Sequence, residues 1–375
     1  MNRRGPVAST LDRYLGREIL FPFLAGLLFL TQVLLMTQLL SQADVLLGSG
    51  VSLLDTVAVA AGMVPHFLGY VLPVAFLLGA VVGTSRLVYD RELVALSAAG
   101  ISPARLVRVP LRLGVVVALV ALWVAAVLEP AGLRHARLRV NDLIRKNVTS
   151  DVRAGVFYED LPDLTLYAEK TQAGRWEHVL ICDRTDPGAP LLALAQGGRL
   201  EPAGVGEAMR LVLARGEVHR EEPRTREYTA AVYRGAAITL GVGQTLSERN
   251  RLVGSPFELT FGQIVAAARK AKEPAEARRL WAFLHRRIAG PLAILAFAVV
   301  AVPIAAARRG GRAFGYTATL VAVVAYYAFL RLGEGLSHRG ALPVWLGPNL
   351  PNLMLALAGV AALWFIDRKG AGAVR

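Results

Sequence analysis

The chain has 375 residues, 54% of them hydrophobic, and a mean hydropathy of +0.46; its apolar residues gather in uninterrupted runs near both ends, which excludes a soluble globule. A formal net charge of +14 is dispersed over termini and loops, and the absence of a basic stripe interleaved with stacking aromatics excludes a nucleic-acid surface. The single cysteine, Cys182, allows no internal disulfide, and no Cys/His cluster suggests a metal site.

A bilayer core about 30 Å thick needs roughly 20 apolar residues per helix. Runs near that length are Ile19–Leu40, Val57–Leu87, Val109–Leu128, Ile288–Ala307, Phe314–Leu332 and Leu346–Ile366, so six spans are predicted. The first run exceeds the roughly 7–15 residues of a secretory signal core, and no small-residue cleavage pattern follows it, so it is expected to stay in the mature protein. Along span one and its outer end, Thr31, Gln38 and Gln42 lie close to one helix face. Such a stripe serves either interhelical hydrogen bonding or a cavity lining. In span two, Ala75, Gly79 and Gly83 recur every four residues and let another helix approach closely, while Pro65 and Pro73 are expected to kink the helix. His66 reads as a packing histidine.

Span two leads into "YDRELVALSAAGISPARLVR", Tyr89 to Arg108. A short helix is predicted at about residues 89–100, with Asp90, Arg91 and Glu92 ahead of Leu93, Leu96 and Ala99, and with Gly100 closing it. Lys and Arg favour cytoplasmic flanks. Arg3, Arg4, Arg13 and Arg17 precede span one; Arg86, Arg91, Arg105, Arg108 and Arg112 surround the second loop; Arg308, Arg309 and Arg312 fill the fourth; Arg368 and Lys369 follow span six. Six alternating helices put all four groups on one side, and the loop Ser41–Asp55, with acids and no base, on the other. Both termini and the short helix are therefore expected in the cytoplasm. The helix either inserts its apolar face into a groove on a soluble partner, its acids meeting basic residues there, or lies along the headgroups.

From Glu129 to about Arg279, period-two alternation replaces continuous apolar sequence. Strands are predicted at "LTLYAEK", "WEHVLICDR", "LLALAQGGRL", "AMRLVLARGEVHR" and "EYTAAVYRGAAITL", separated by turn-rich segments. This spacing suggests an antiparallel sandwich or an open jelly roll. Leu164, Leu166, Val179, Ile181, Leu211 and Leu213 fall at inward positions, lining either a closed core or a trough for acyl chains. The flanks "RHARLRVNDLIRKNV" and "SPFELTFGQIVAAARKAKEPAEARRLWAFLHRR" read as helical.

In the second half, Arg331 shares a face of span five with Tyr327 and Glu334; an arginine there needs an ionic partner or water. His285, Arg286 and Arg287 sit where span four enters the membrane from the expected outer side, against the positive-inside preference. They suit either bidentate phosphate recognition or snorkelling to headgroups. No GxxxxGK[ST] loop, HExxH or GxSxG motif occurs, so any work this chain does draws its energy from elsewhere.

The blocks "LDRYLGREIL", "VLPVAFLLGAVVGTSRLVYDRELVALSAAGIS", "LHRRIAGPLAILAFAVVAVPIAAARRGGRAFGY" and "GALPVWLGPNLPN", in that order, resemble the lipopolysaccharide-export permease family (LptF/LptG), with the LptF type favoured. The central domain is similar only in size, β character and placement. The resemblance implies a membrane α-helical protein with six transmembrane helices in a 3+3 arrangement and a periplasmic antiparallel β-jelly-roll domain between helices three and four. The corresponding divisions are residues 1–128, 129–279 and 280–375.

It further implies a multi-pass protein of the bacterial inner membrane that pairs with a paralogous LptG- or LptF-type subunit and binds an LptB-type ABC ATPase dimer. ATP and Mg belong to that ATPase, and no cofactor is expected in this chain. Lipopolysaccharide is extracted from the inner membrane and passed to LptC/LptA-type periplasmic jelly rolls. The short helix becomes the coupling helix, with Asp90, Arg91, Glu92, Leu93, Leu96 and Gly100 as ATPase-coupling candidates and Glu92 facing a basic residue of the ATPase. Spans one and five line the lipid gate in the family, which makes Thr31, Gln38, Gln42, Arg286, Arg287, Tyr327 and Arg331 candidate lipid contacts. Several members carry Lys or Arg near the outer end of span one; this chain has Gln38 and Ser41 there. An ABC permease for another lipid or lipoprotein, and a membrane-anchored β-domain scaffold without transport, are the competing readings.

Overall fold

The computed structural model describes residues 6–41, 52–151, 154–161, 164–172, 175–184, 190–202, 209–222, 227–240, 256–306 and 313–369. Among them, six helices are long and apolar enough to cross a membrane: Thr10–Ser41, Leu53–Tyr89, Ala104–Val140, Pro274–Ala306, Gly315–His338 and Leu346–Ile366. The packing divides the chain into a helical unit (residues 1–37, 63–132 and 256–375) and a sheet unit (residues 38–62 and 133–255).

The helices are α1 (Pro6–Ser41), α2 (Leu53–Tyr89), α3 (Glu92–Ala98), α4 (Pro103–Leu106), α5 (Arg108–Trp123), α6 (Glu129–Asp151), α7 (Phe261–Lys270), α8 (Pro274–Ala306), α9 (Ala313–His338) and α10 (Leu346–Lys369). Between α5 and α6 the backbone passes without interruption through a π-helical turn, Val124–Leu128. α2 stays helical through Pro65 and Pro73. The apolar stretches of α2 and α8 are each 67% buried, against 17–28% for the other spans, so these two form the centre of the helical unit. Their core joins Ala75, Phe76 and Leu77 to Ile294, Phe297 and Ala301, with Leu15, Ile19 and Phe23 of α1 and Tyr326 and Leu330 of α9 packed around them.

The small residues predicted to admit a neighbouring helix do so. α1 lies so close to α2 that a Cβ added at Gly79 would stand 2.6 Å from the Phe23 Cβ and 2.8 Å from the Ile19 carbonyl. Gly79→Val is therefore expected to separate the two helices and to lower the unfolding temperature in detergent, overpacking of this kind costing about 1–3 kcal/mol. Gly16→Ala, where a Cβ meets nothing within 4 Å, serves as control and should hold or raise that temperature. Equal behaviour of the two variants would refute the close-approach account.

Among the described residues of the sheet unit, eight antiparallel strands run β1 (Phe157–Leu161), β2 (Leu164–Gln172), β3 (Arg175–Asp183), β4 (Leu191–Pro202), β5 (Met209–Leu213), β6 (Gly216–Glu222), β7 (Glu227–Tyr233) and β8 (Ala236–Leu240). The sheet branches at β4: Leu191–Ala195 pairs with β6, and Gly198–Pro202 pairs with β5. β7 extends the first arm and β8 the second. At the fork, the Gln196 amide donates to the Arg215 carbonyl and the Ala214 amide to the Gly197 carbonyl.

This branching corrects two sequence expectations. "AMRLVLARGEVHR" is two strands, because its halves pair with different halves of β4; "EYTAAVYRGAAITL" divides likewise into β7 and β8. β1, absent from the predicted strands, pairs with β2 through Phe157 opposite Tyr167. The inward positions agree with the alternation: Leu166, Ile181 and Leu211 are 0% exposed, Leu213 1% and Val179 2%, while the side chain of Leu164 lies outside the described residues. Leu166 faces Ile181, which faces Ala193.

Candidate functional site

Two places in the helical unit collect the residues that sequence singled out. At the first, α2 ends because Arg91 turns left-handed, with φ 60°. α3 then runs for two turns and closes at Gly100, φ 80°, where the Ile101 amide reaches back to the Leu96 carbonyl at 2.9 Å. A left-handed glycine after the last turn is the usual end of a helix, because it lets the free carbonyls be capped without Cβ strain. The helix is Glu92–Ala98, shorter than the expected 89–100.

Leu93 is buried in the core of the helical unit and Leu96 packs against that core. This corrects the idea of an apolar face offered to a partner's groove: the leucines anchor the helix to its own chain, since burying them there removes more apolar surface from water than leaving them out. Tyr89, Asp90, Arg91, Ala95 and Ala99 remain exposed. Polar contacts fasten this end of the unit: the Tyr14 hydroxyl donates to Glu92 Oε1 at 3.2 Å, Arg86 pairs with Glu18 at 2.7 Å, and Arg112 with Asp12 at 2.7 Å. The short helix is thus mounted on the ends of spans one, two and three.

The second place is a buried ionic cluster. His66 Nδ1 lies 2.8 Å from Glu129 Oε1, and Arg287 Nη2 lies 3.2 Å from Glu129 Oε2. Arg287 also donates to the Leu259 carbonyl at 2.6 Å and to the Ala125 carbonyl inside the π turn. Leu259 is held at that spot by a capping box, the Thr260 amide donating to Gln263 Oε1 at 2.9 Å and the Gln263 amide to Thr260 Oγ1 at 3.4 Å. The rings of Phe67, Tyr70 and Phe257 surround His66 edge-on. Beside this trio, Glu334 is shared by Arg286, at 3.1 Å, and Arg331, at 3.3 Å. Arg286 also donates to the Tyr70 hydroxyl at 3.4 Å, and Tyr327 donates to the Tyr70 carbonyl at 3.4 Å. A cleft opens among Tyr70, Ala125, Glu129, Arg286 and Tyr327.

The candidate lipid contacts therefore differ sharply in access. The Arg287 side chain is 2% exposed and its charge is met by Glu129, so it is placed as an internal strut rather than a surface contact. Arg286 is 21% exposed and Arg331 69%, while both meet the same carboxylate. Of the three arginines, Arg331 lies outermost. On span one, Thr31 is half-buried and its hydroxyl has no hydrogen-bond partner among the described residues, Gln38 is half-buried, and Gln42 lies outside the described residues.

A family model described as lipopolysaccharide export system permease LptF/LptG matches residues 13–365, which include both places and the sheet between them. The chain belongs to that family. No curated protein matches it. As a lipopolysaccharide-export permease it is a transporter rather than an enzyme, and its six spans make it a multi-pass inner-membrane protein. Glu129, which the change of pattern in the sequence places at the start of the sheet domain, is a central member of this cluster. A carboxylate closing the apolar run "VALWVAAVLEP", with a histidine inside another apolar run, was the available signal, because buried ionisable groups in membranes occur in compensating sets.

Proposed function

We propose that this chain is the LptF-type permease subunit of an ABC transporter that extracts lipopolysaccharide from the inner membrane and passes it to a periplasmic bridge. In this reading both termini and α3 face the cytoplasm and the sheet unit faces the periplasm, the orientation favoured by the placement of Lys and Arg. A paralogous LptG-type subunit pairs with it, and an LptB-type ATPase dimer meets the start of α3 and the turn before it at Asp90, Arg91 and Glu92. LptC/LptA-type jelly rolls receive the lipid. The observation that carries the proposal is the family match across both membrane halves, combined with a short helix anchored by Leu93 and Tyr14 so that a push on it reaches the spans.

Arg331, Arg286, Tyr327, Thr31 and Gln38 are the lipid contacts consistent with their access. Leu166, Val179, Ile181, Leu211 and Leu213 are all buried here. Acyl chains reach them only if the arms beyond β4 part at the fork. Purification of the chain with its co-expressed partners, followed by mass spectrometry of proteins and lipids, tests the assignment. An ABC-type ATPase and lipopolysaccharide in the same particle are expected. A particle holding a different lipid, or no ATPase, would replace this reading by transport of that lipid or by a scaffold.

A further inference from the structure

The helix that forms span three contains the π turn Val124–Leu128, and three other features converge on it. A π turn holds one residue more than the α-helix around it, and its backbone bonds are poorer, so it persists only where something else holds it. Here Arg287 of α8 donates to the Ala125 carbonyl within the turn. Glu129, the first residue after the turn, binds α2 through one carboxylate oxygen and α8 through the other. The cleft beside it is lined by Ala121, Ala125 and Glu129, one residue per helical turn along this side of span three. Burying His66, Glu129 and Arg287 is expensive, and simple packing does not require charges there.

We infer that the π turn is a register joint in span three, with His66, Glu129 and Arg287 as positioning residues that hold it in one of two states. Absorbing the extra residue into α geometry turns the chain beyond it by about 100° and lengthens it by about 1.5 Å. Glu129 then leaves His66 and Arg287 together. Both contacts break at once, so the joint is two-state rather than graded. Its place in the chain suits transmission: α4 and α5 connect it to the short helix on one side, and α6 connects it to β1 on the other. The inference rests on the transport reading above; it adds that the stroke passes through span three as a change of helical register.

Hydrogen–deuterium exchange of the assembled complex in lipid nanodiscs tests this with the unaltered protein. Between nucleotide-free and vanadate-trapped states, amides of residues 125–133 are expected to change exchange rate at least tenfold, while those of Val71–Leu77 stay within twofold. Unchanged exchange in a complex that hydrolyses ATP and releases lipopolysaccharide overturns the joint alone. Failure to recruit an ATPase overturns the transport reading, and the stroke with it.

Deletion of Ala126 removes the extra residue while leaving the flanking faces in place. The deleted protein is expected to bind the ATPase and sustain hydrolysis within threefold, with lipid release reduced at least tenfold. Release at the original rate shows that the π turn is passive. If the deleted protein does not assemble, the exchange measurement decides.

Discussion

Glu129→Leu is expected to destabilise the protein by about 3–5 kcal/mol, because it leaves the Arg287 guanidinium buried with no opposing charge. The same substitution takes away the hydrogen-bond partner of His66. Thermal unfolding in detergent reads the loss. The double variant Glu129→Leu, Arg287→Met is expected to recover at least half of it, since an apolar pair of similar volume replaces a buried ion pair at little net cost. Full recovery is not expected: the Ala125 carbonyl in the π turn loses its donor when Arg287 goes. A single variant as stable as the original would show that the trio carries none of the packing of spans two, three and four.

Glu92→Arg is expected to weaken association with the ATPase at least tenfold, or about 1.4 kcal/mol. The site is half-buried at the start of α3, and the fold around it is held by Leu93 and Leu96, so folding and insertion should persist. The effect should shrink at high salt, as for a charge at the rim of an interface. Tyr14→Phe removes the local hydrogen bond while keeping the Glu92 charge, and should change association by less than threefold. Association of Glu92→Arg at the original strength, with normal export, would end the lever account and favour the scaffold.

Gly79 and Leu93 show how far local sequence reaches. The four-residue recurrence of Ala75, Gly79 and Gly83 told correctly that another helix comes close, because the requirement is simply an absence of side chain on one face. Leu93 was legible as apolar and helical, yet its direction was not: the same pattern fits a partner's groove, a headgroup layer or the chain's own core. Only the packing of α3 chooses the last. The sheet repeats the contrast. Alternation found the buried positions Leu166, Ile181 and Leu211, whereas the fork at β4 escaped, because which half of a strand pairs with which neighbour leaves no periodic mark.

The sequence by itself determined the six spans, the sheet between the third and fourth, and the family. Apolar run length and alternation are properties of neighbouring residues, and the family's blocks are contiguous. The tertiary structure alone decided that Glu129 ties His66 to Arg287, partners 63 and 158 positions away, and that the extra residue of span three is kept in a π turn beside them. A buried charge must find its counter-charge wherever the fold brings one, and that distance in the chain carries no local signal.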